Sequence, residues 1–266
     1  MTETARGRVR VEPGAKRVRG YAGGSLIFDT VAPLLVWEVP YYPAYYVPAD
    51  DVRAKLEPTG KPGPRSFALR PAQAAGATDR SPSRGTAEIL DVVTERGRLA
   101  GAARRYPDSP LTGLRGAVRF DWAALDVWLE EDEPVYGHPR DPYTRIDALR
   151  SSRHVRVELD GVLLAESTRP TILYETGLPA RYYLPLPDVR MELLEPSDNR
   201  TLCPYKGWAS YWHLVVDAKR YENYVWTYRT PLPESHQIIG LACFYNEKVD
   251  LIIDGEPQAR PETPFS

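Results

Sequence analysis

The chain repeats itself, and that constrains its fold more than any other feature. Residues 18–53 lie over residues 155–190 without a gap at a constant separation of 137, with 12 of the 36 paired positions identical. Unrelated segments of ordinary composition would share roughly two. The identities are Val18/Val155, Arg19/Arg156, Gly24/Gly161, Leu26/Leu163, Pro33/Pro170, Glu38/Glu175, Tyr45/Tyr182, Tyr46/Tyr183, Pro48/Pro185, Asp51/Asp188, Val52/Val189 and Arg53/Arg190. A duplication of this length folds as two copies of one unit. Gly116, Phe120 and Asp126 match Gly240, Phe244 and Asp250 at a separation of 124, so the first copy holds 13 extra residues in between. Residues 58–86 are rich in Pro, Gly, Ala and Ser, and are expected to hold the extra length as a flexible surface insertion. The expected domains are 1–137 and 138–266, joined at a Pro-bearing stretch that starts at His138. A chain of 266 residues is long enough for two middling cores.

Local signals are those of antiparallel sheet. Val155, Val157 and Leu159 alternate before Asp160-Gly161, which predicts a type I′ hairpin, and Gly23-Gly24 stands at the same place in the first copy. A further β-branched run enters Asp254-Gly255. Trp122, Leu125, Trp128 and Leu129 have helical spacing, but the repeat pairs Leu125, Val127 and Leu129 with Val249, Leu251 and Ile253, a strand-like set. Strands are therefore expected at both places. The 26 prolines favour short strands and long loops. The predicted class is mainly β, as two tandem compact antiparallel domains.

Composition narrows the function. Hydrophobic content of 42%, charged content of 26% and a net charge of −2 describe a soluble globular protein and give no reason to expect a nucleic-acid partner. The sequence shows no signal-peptide pattern and no apolar run of about 18 residues, so a cytoplasmic location away from membranes is expected. Cys203 and Cys243 form neither a disulfide framework nor a zinc-type pair. The four histidines show no metal-binding spacing, so no metal or other cofactor is expected.

The chemistry concentrates in the second copy. Glu175 ends the apolar run Ile172-Leu173-Tyr174, where a carboxylate must be paired or protonated. It recurs as Glu38, which suits a structural ion pair equally well. Arg181 and Tyr183 share a strand face. Cys203-Pro204-Tyr205-Lys206-Gly207 brings a thiol near an ammonium group, an arrangement that makes cysteine nucleophilic, although a lone cysteine also serves as a small buried hydrophobe. Tyr205, Trp208 and Tyr211 offer aromatic surface with polar handles for a small molecule. Ala44 stands where Arg181 stands, and by sequence the first copy shows no counterpart of the segment from Cys203 to Trp212. Arg181, Cys203 and Lys206 thus occur once. The second copy is expected to function, and the first to be degenerate.

Glu175 at the end of its run, the segments GLPARYYLP and CPYKGWASYW, and the strand FYNEKVD resemble the family called domain of unknown function 427, over nearly the whole chain as a tandem pair. The resemblance implies a compact domain similar to the β-tent (Mss4-like) architecture, in which two small antiparallel sheets meet and a ligand can lie between them. It also brings a nucleotidyltransferase-like label, to which this chain offers no close carboxylate pair for Mg²⁺. Three readings follow. The first is a small-molecule site in the second copy, enzymatic or not, with Arg181 and Lys206 binding an anionic ligand, Glu175 as acid or base and Cys203 as nucleophile. The second is a binding module for a ligand or protein without chemistry. The third is nucleotidyl transfer.

Overall fold

A computed structural model describes residues 10–38, 42–62 and 84–263. The chain divides between Asp141 and Pro142 into two units, each with its own sheets and core. The first unit contains β1 (Arg10–Pro13), β2 (Val18–Ala22), β3 (Ser25–Thr30), β4 (Leu34–Trp37), β5 (Ala44–Pro48), β6 (Lys55–Pro62), β7 (Glu88–Thr94), β8 (Gly97–Arg105), β9 (Ala117–Phe120), β10 (Val127–Glu130) and β11 (Glu133–Pro134). In the second are β12 (Ile146–Arg150), β13 (Val155–Leu159), β14 (Val162–Ser167), β15 (Thr171–Glu175), β16 (Arg181–Leu184), β17 (Leu194–Cys203), β18 (Gly207–Val216), β19 (Lys219–Tyr228), β20 (Ala242–Phe244), β21 (Asp250–Ile253) and β22 (Glu256–Gln258).

Both units have one topology, and the protein is mainly β. A seven-stranded sheet runs β1-β4-β5-β9-β8-β7-β6 in the first unit and β12-β15-β16-β20-β19-β18-β17 in the second. Four-stranded sheets run β3-β2-β10-β11 and β14-β13-β21-β22. All the pairings within the sheets are antiparallel between described strands. The hairpin signals are realised as read: φ is positive at both central residues of Gly23-Gly24, Asp160-Gly161 and Asp254-Gly255. β10 and β21 are strands, as the repeat requires. The helical spacing near Trp122 has a local cause, a 3₁₀ turn at Trp122–Ala124 in which Asp121 accepts from the Ala123 amide.

The space between the sheets is filled. In the first unit Val18, Ile27 and Phe28 of the small sheet meet Val47, Leu90, Ala103 and Phe120 of the large one, and Phe28 stacks on Phe120 at 5.1 Å. The second unit packs Val155, Val157 and Leu251 against Leu184, Leu214, Val225 and Phe244. Each such side chain contributes about 2 kcal/mol on burial. Alternate residues on the same strands point to the large sheet's other face and form a second cluster, containing Tyr46 and Tyr106 in the first unit and Tyr183, Trp226, Tyr228 and Cys243 in the second. That second face carries the polar residues discussed below.

Two sequence expectations need correcting. The stretch 58–86 is not wholly an insertion, because β6 reaches Pro62 and Arg84 is buried in the second cluster's surroundings; residues 63–83 lie outside the described residues. Part of the join is strand as well: Ile146–Arg150 pairs with β15, as Arg10–Pro13 pairs with β4. Among the described residues no helix is long and apolar enough to cross a membrane.

Candidate functional site

The hairpins β7–β8 and β18–β19 turn at equivalent places, Thr94–Gly97 and Val216–Lys219. Aligning them sets a separation of 122, which puts Tyr106 on Tyr228, Gly85 on Gly207 and Arg84 on Lys206. Backbone geometry agrees, since φ is +90° at Gly85 and +88° at Gly207. The end of the turn before β18, Lys206-Gly207, therefore has a counterpart in Arg84-Gly85 of the first copy. Sequence comparison missed it because the separation changes from 137 to 122 inside the low-complexity stretch.

This turn delivers a cation to the glutamate at the end of the facing strand. Lys206 donates to Glu175 at 2.5 Å, and Arg84 donates to Glu38 at 2.5 Å. Lys206 and Arg84 are buried. Burial opposes the charge on Lys206, but Cys203 and Glu175 outweigh it, so its pKa is raised and the ammonium persists. In the first copy burial pushes the Glu38 carboxyl up, and Arg119, Arg84 and the Tyr46 hydroxyl overcome that push and hold it below the usual range. Tyr46 donates to Glu38 at 2.5 Å, and Arg119 Nε lies 3.0 Å from the same carboxylate. A glutamate, a cation and two buried tyrosines, Tyr46 with Tyr106 or Tyr183 with Tyr228, thus make a frame present in both copies.

The second copy's remaining candidates are placed as follows. Cys203 is half-buried at the end of β17, within electrostatic reach of Lys206, Tyr183 and Tyr228. Tyr183 is fully buried, accepts from Trp226 Nε1 at 3.1 Å, and has its phenol pKa pushed well up by burial. Tyr211, also buried, shares a hydrogen bond of 2.7 Å with Thr201. Tyr205 is half-buried and its carbonyl accepts from Ser235 at 3.4 Å. Trp208 is 51% exposed and faces away from Tyr211 across the strand, so it does not join the cluster.

Arg181 departs from its expected role. It donates to both oxygens of Glu247 at 2.6 Å and to Asn246 at 2.9 Å. Glu247 also accepts from Thr263, and Asn246 donates to the Ala180 carbonyl. The guanidinium charge is matched inside the fold, as is that of Lys206, so neither cation is poised for an anionic ligand. Where the second copy has Arg181, Asn246 and Glu247, the first has Ala44, Trp122 and Ala123, an apolar equivalent. Sequence reading missed Glu247 because nothing local marks it as the partner of a residue on another strand. A hollow of about 150 Å³ lies beside this network at the margin of the two sheets, lined by Tyr182, Asn246, Leu251 and Gln258 among others.

Among the described residues no group of three or more His, Cys, Asp or Glu side chains is close enough together to hold a metal ion. Fold and site define a tandem β protein whose copies each bury a glutamate–cation pair on the outer face of the large sheet. The chain belongs to the family of domain of unknown function DUF427, whose profile matches residues 10–131 and 147–255 and carries a nucleotidyltransferase label. No curated protein matches the chain.

Proposed function

We propose that the second copy is a small-molecule site in which Cys203 acts as a nucleophile, supported by the Lys206–Glu175 pair. The observation that carries this reading is the position of Cys203: it is half-buried, beside an ammonium group that Glu175 keeps in place. A fixed cation next to sulfur stabilises negative charge developing there. Glu175 serves as a positioning residue, because its distance of 2.5 Å to Lys206 commits it to that pair. Cys243 has no such role. Its thiol is fully buried and burial pushes its pKa far up.

A binding module without chemistry is the second reading. It is supported by the recurrence of the glutamate–cation pair in the first copy, as Arg84 with Glu38. The family's nucleotidyltransferase label supplies the third reading and rests on that label alone.

Alkylation with iodoacetamide at pH 7, followed by mass spectrometry, separates the first two. Cys203 should react at least about tenfold faster than a free thiol, and Lys206→Met should remove that advantage. An unchanged rate in Lys206→Met, or a Cys203 no faster than glutathione, would leave the module without chemistry as the better reading.

A further inference from the structure

The hollow of about 150 Å³ in the second unit corresponds to a place that the first unit fills with aromatic rings. Strand register fixes the correspondence. Trp128 of β10 lies opposite Gly20, Leu251 of β21 lies opposite Val157, and Gly20 and Val157 are repeat mates, so Leu251 stands where Trp128 stands. This is one residue from the match of Val127 with Leu251 that sequence alone suggests. Asn246 takes the place of Trp122, each two residues beyond a paired phenylalanine, and Tyr182 takes that of Tyr45. In the first unit these three positions hold a stack: Trp122 lies on Trp128 with ring centroids 4.4 Å apart and planes 6° from parallel, and Tyr45 flanks Trp128 at 6.2 Å. In the second unit an isobutyl group and a carboxamide replace the two indoles, and the hollow opens among Tyr182, Leu251 and Asn246. The rim differs accordingly. Val135, which pairs with the Trp128 carbonyl, is buried, whereas Gln258, opposite Leu251, is exposed.

We propose that the second unit binds a small planar aromatic compound in this hollow, its ring taking the place that tryptophan holds in the first unit. A cavity of roughly 150 Å³ accepts a benzene-sized ring. The wall is built in advance of any ligand. Asn246 accepts from Arg181 at 2.9 Å and donates to the Ala180 carbonyl at 2.8 Å, and Ala180 is itself part of the lining. Arg181 is held in turn by both oxygens of Glu247. This network, which the first unit lacks, keeps a short polar side chain where the indole of Trp122 would otherwise close the space. Leu251 supplies apolar contact, and Tyr182 offers the aromatic neighbour that Tyr45 offers Trp128. The carboxamides of Asn246 and Gln258 in the lining select a ring with a hydrogen-bonding atom at its edge, so the ligand class is an aromatic heterocycle. This site does not rest on the reactivity of Cys203.

The test is saturation-transfer NMR on the full chain, with indole as the probe and cyclohexanol as its non-aromatic comparison. Indole should receive saturation from the protein, and cyclohexanol should bind at least about tenfold more weakly. Two variants fill the hollow. Leu251→Trp puts an indole at the strand position that carries one in the first unit, and Ala259→Trp adds one at an exposed lining residue, outside the core. Each should weaken indole binding at least about tenfold, and Ala259→Trp decides the matter where Leu251→Trp fails to fold. Trp208→Ala, which removes the exposed indole of β18, should leave binding unchanged. Equal indole binding by wild type and Ala259→Trp would overturn the proposal. So would equal affinity for indole and cyclohexanol, no measurable indole binding up to millimolar concentration, or loss of indole binding in Trp208→Ala.

Discussion

Glu38 and Glu175 carry the same duty at the ends of β4 and β15: each neutralises the cation that the following turn delivers. Removing either carboxylate charge leaves a buried cation without its partner, which costs about 3 kcal/mol. Glu175→Gln and Glu38→Gln should therefore both lower the denaturation midpoint, with the larger loss at Glu38, which serves Arg84 and Arg119 together. Equal stability of Glu175→Gln and wild type in urea would contradict the pairing. Two buried carboxylates, Glu38 and Glu247, set an acid limit. Glu38 and Glu247 are held below the ordinary value of 4.5, Glu38 by Arg119 and Arg84 against burial, Glu247 by Arg181 and Thr263 against burial. Because the folded pKa is depressed, their contribution is complete above pH 4.5 and fades as pH falls through the lower folded values. Melting temperature should be flat between about pH 6 and 7 with respect to these groups and should drop below pH 4.5. At this scale the sequence shows which carboxylates matter, since Glu175 breaks an apolar run and recurs. It does not show their partners, because Arg84 and Glu247 reach their sites from elements distant in the chain.

The element that makes the site is the glycine turn before β7 and β18. At φ of +90° and +88°, Gly85 and Gly207 hold a conformation that costs a residue with a side chain about 1–2 kcal/mol. A Cβ on Gly85 would also come within 3.2 Å of the Asp108 carbonyl oxygen. Gly207→Ala should lower stability by about 2 kcal/mol and slow Cys203 alkylation, because the turn that aims Lys206 is disturbed. Gly116→Ala is the control: its added Cβ meets nothing within 4 Å, so its denaturation curve should match wild type. Strands and hairpins were legible because alternation and Asp-Gly or Gly-Gly turns are local signals. The charged or weakly patterned edge strands Arg10–Pro13 and Ile146–Arg150 were not, since an edge strand is fixed by the neighbour it pairs with. The equivalence of the two turns was hidden for a related reason: the chain before Arg84 has no pattern to align.

On the scale of the whole molecule, one topology is used twice, and each unit encloses its own core between two sheets. Residues 142–266 expressed alone should fold cooperatively and keep the Cys203 alkylation rate of the full chain, as a unit with its own core does. A disordered product would show that the second copy depends on the first. The two units share a frame of glutamate, cation and tyrosines, and they differ in the row across it, two arginines in one and a thiol and an indole in the other. If the frame is structural, its two charges should depend on each other. The most direct measurement is the equilibrium unfolding free energy of Lys206→Met, Glu175→Gln and the double variant. The expected result is a double variant less destabilised than the sum of the two single variants by about 1–3 kcal/mol, because removing both charges leaves no buried ion without its partner. Additive losses would contradict it.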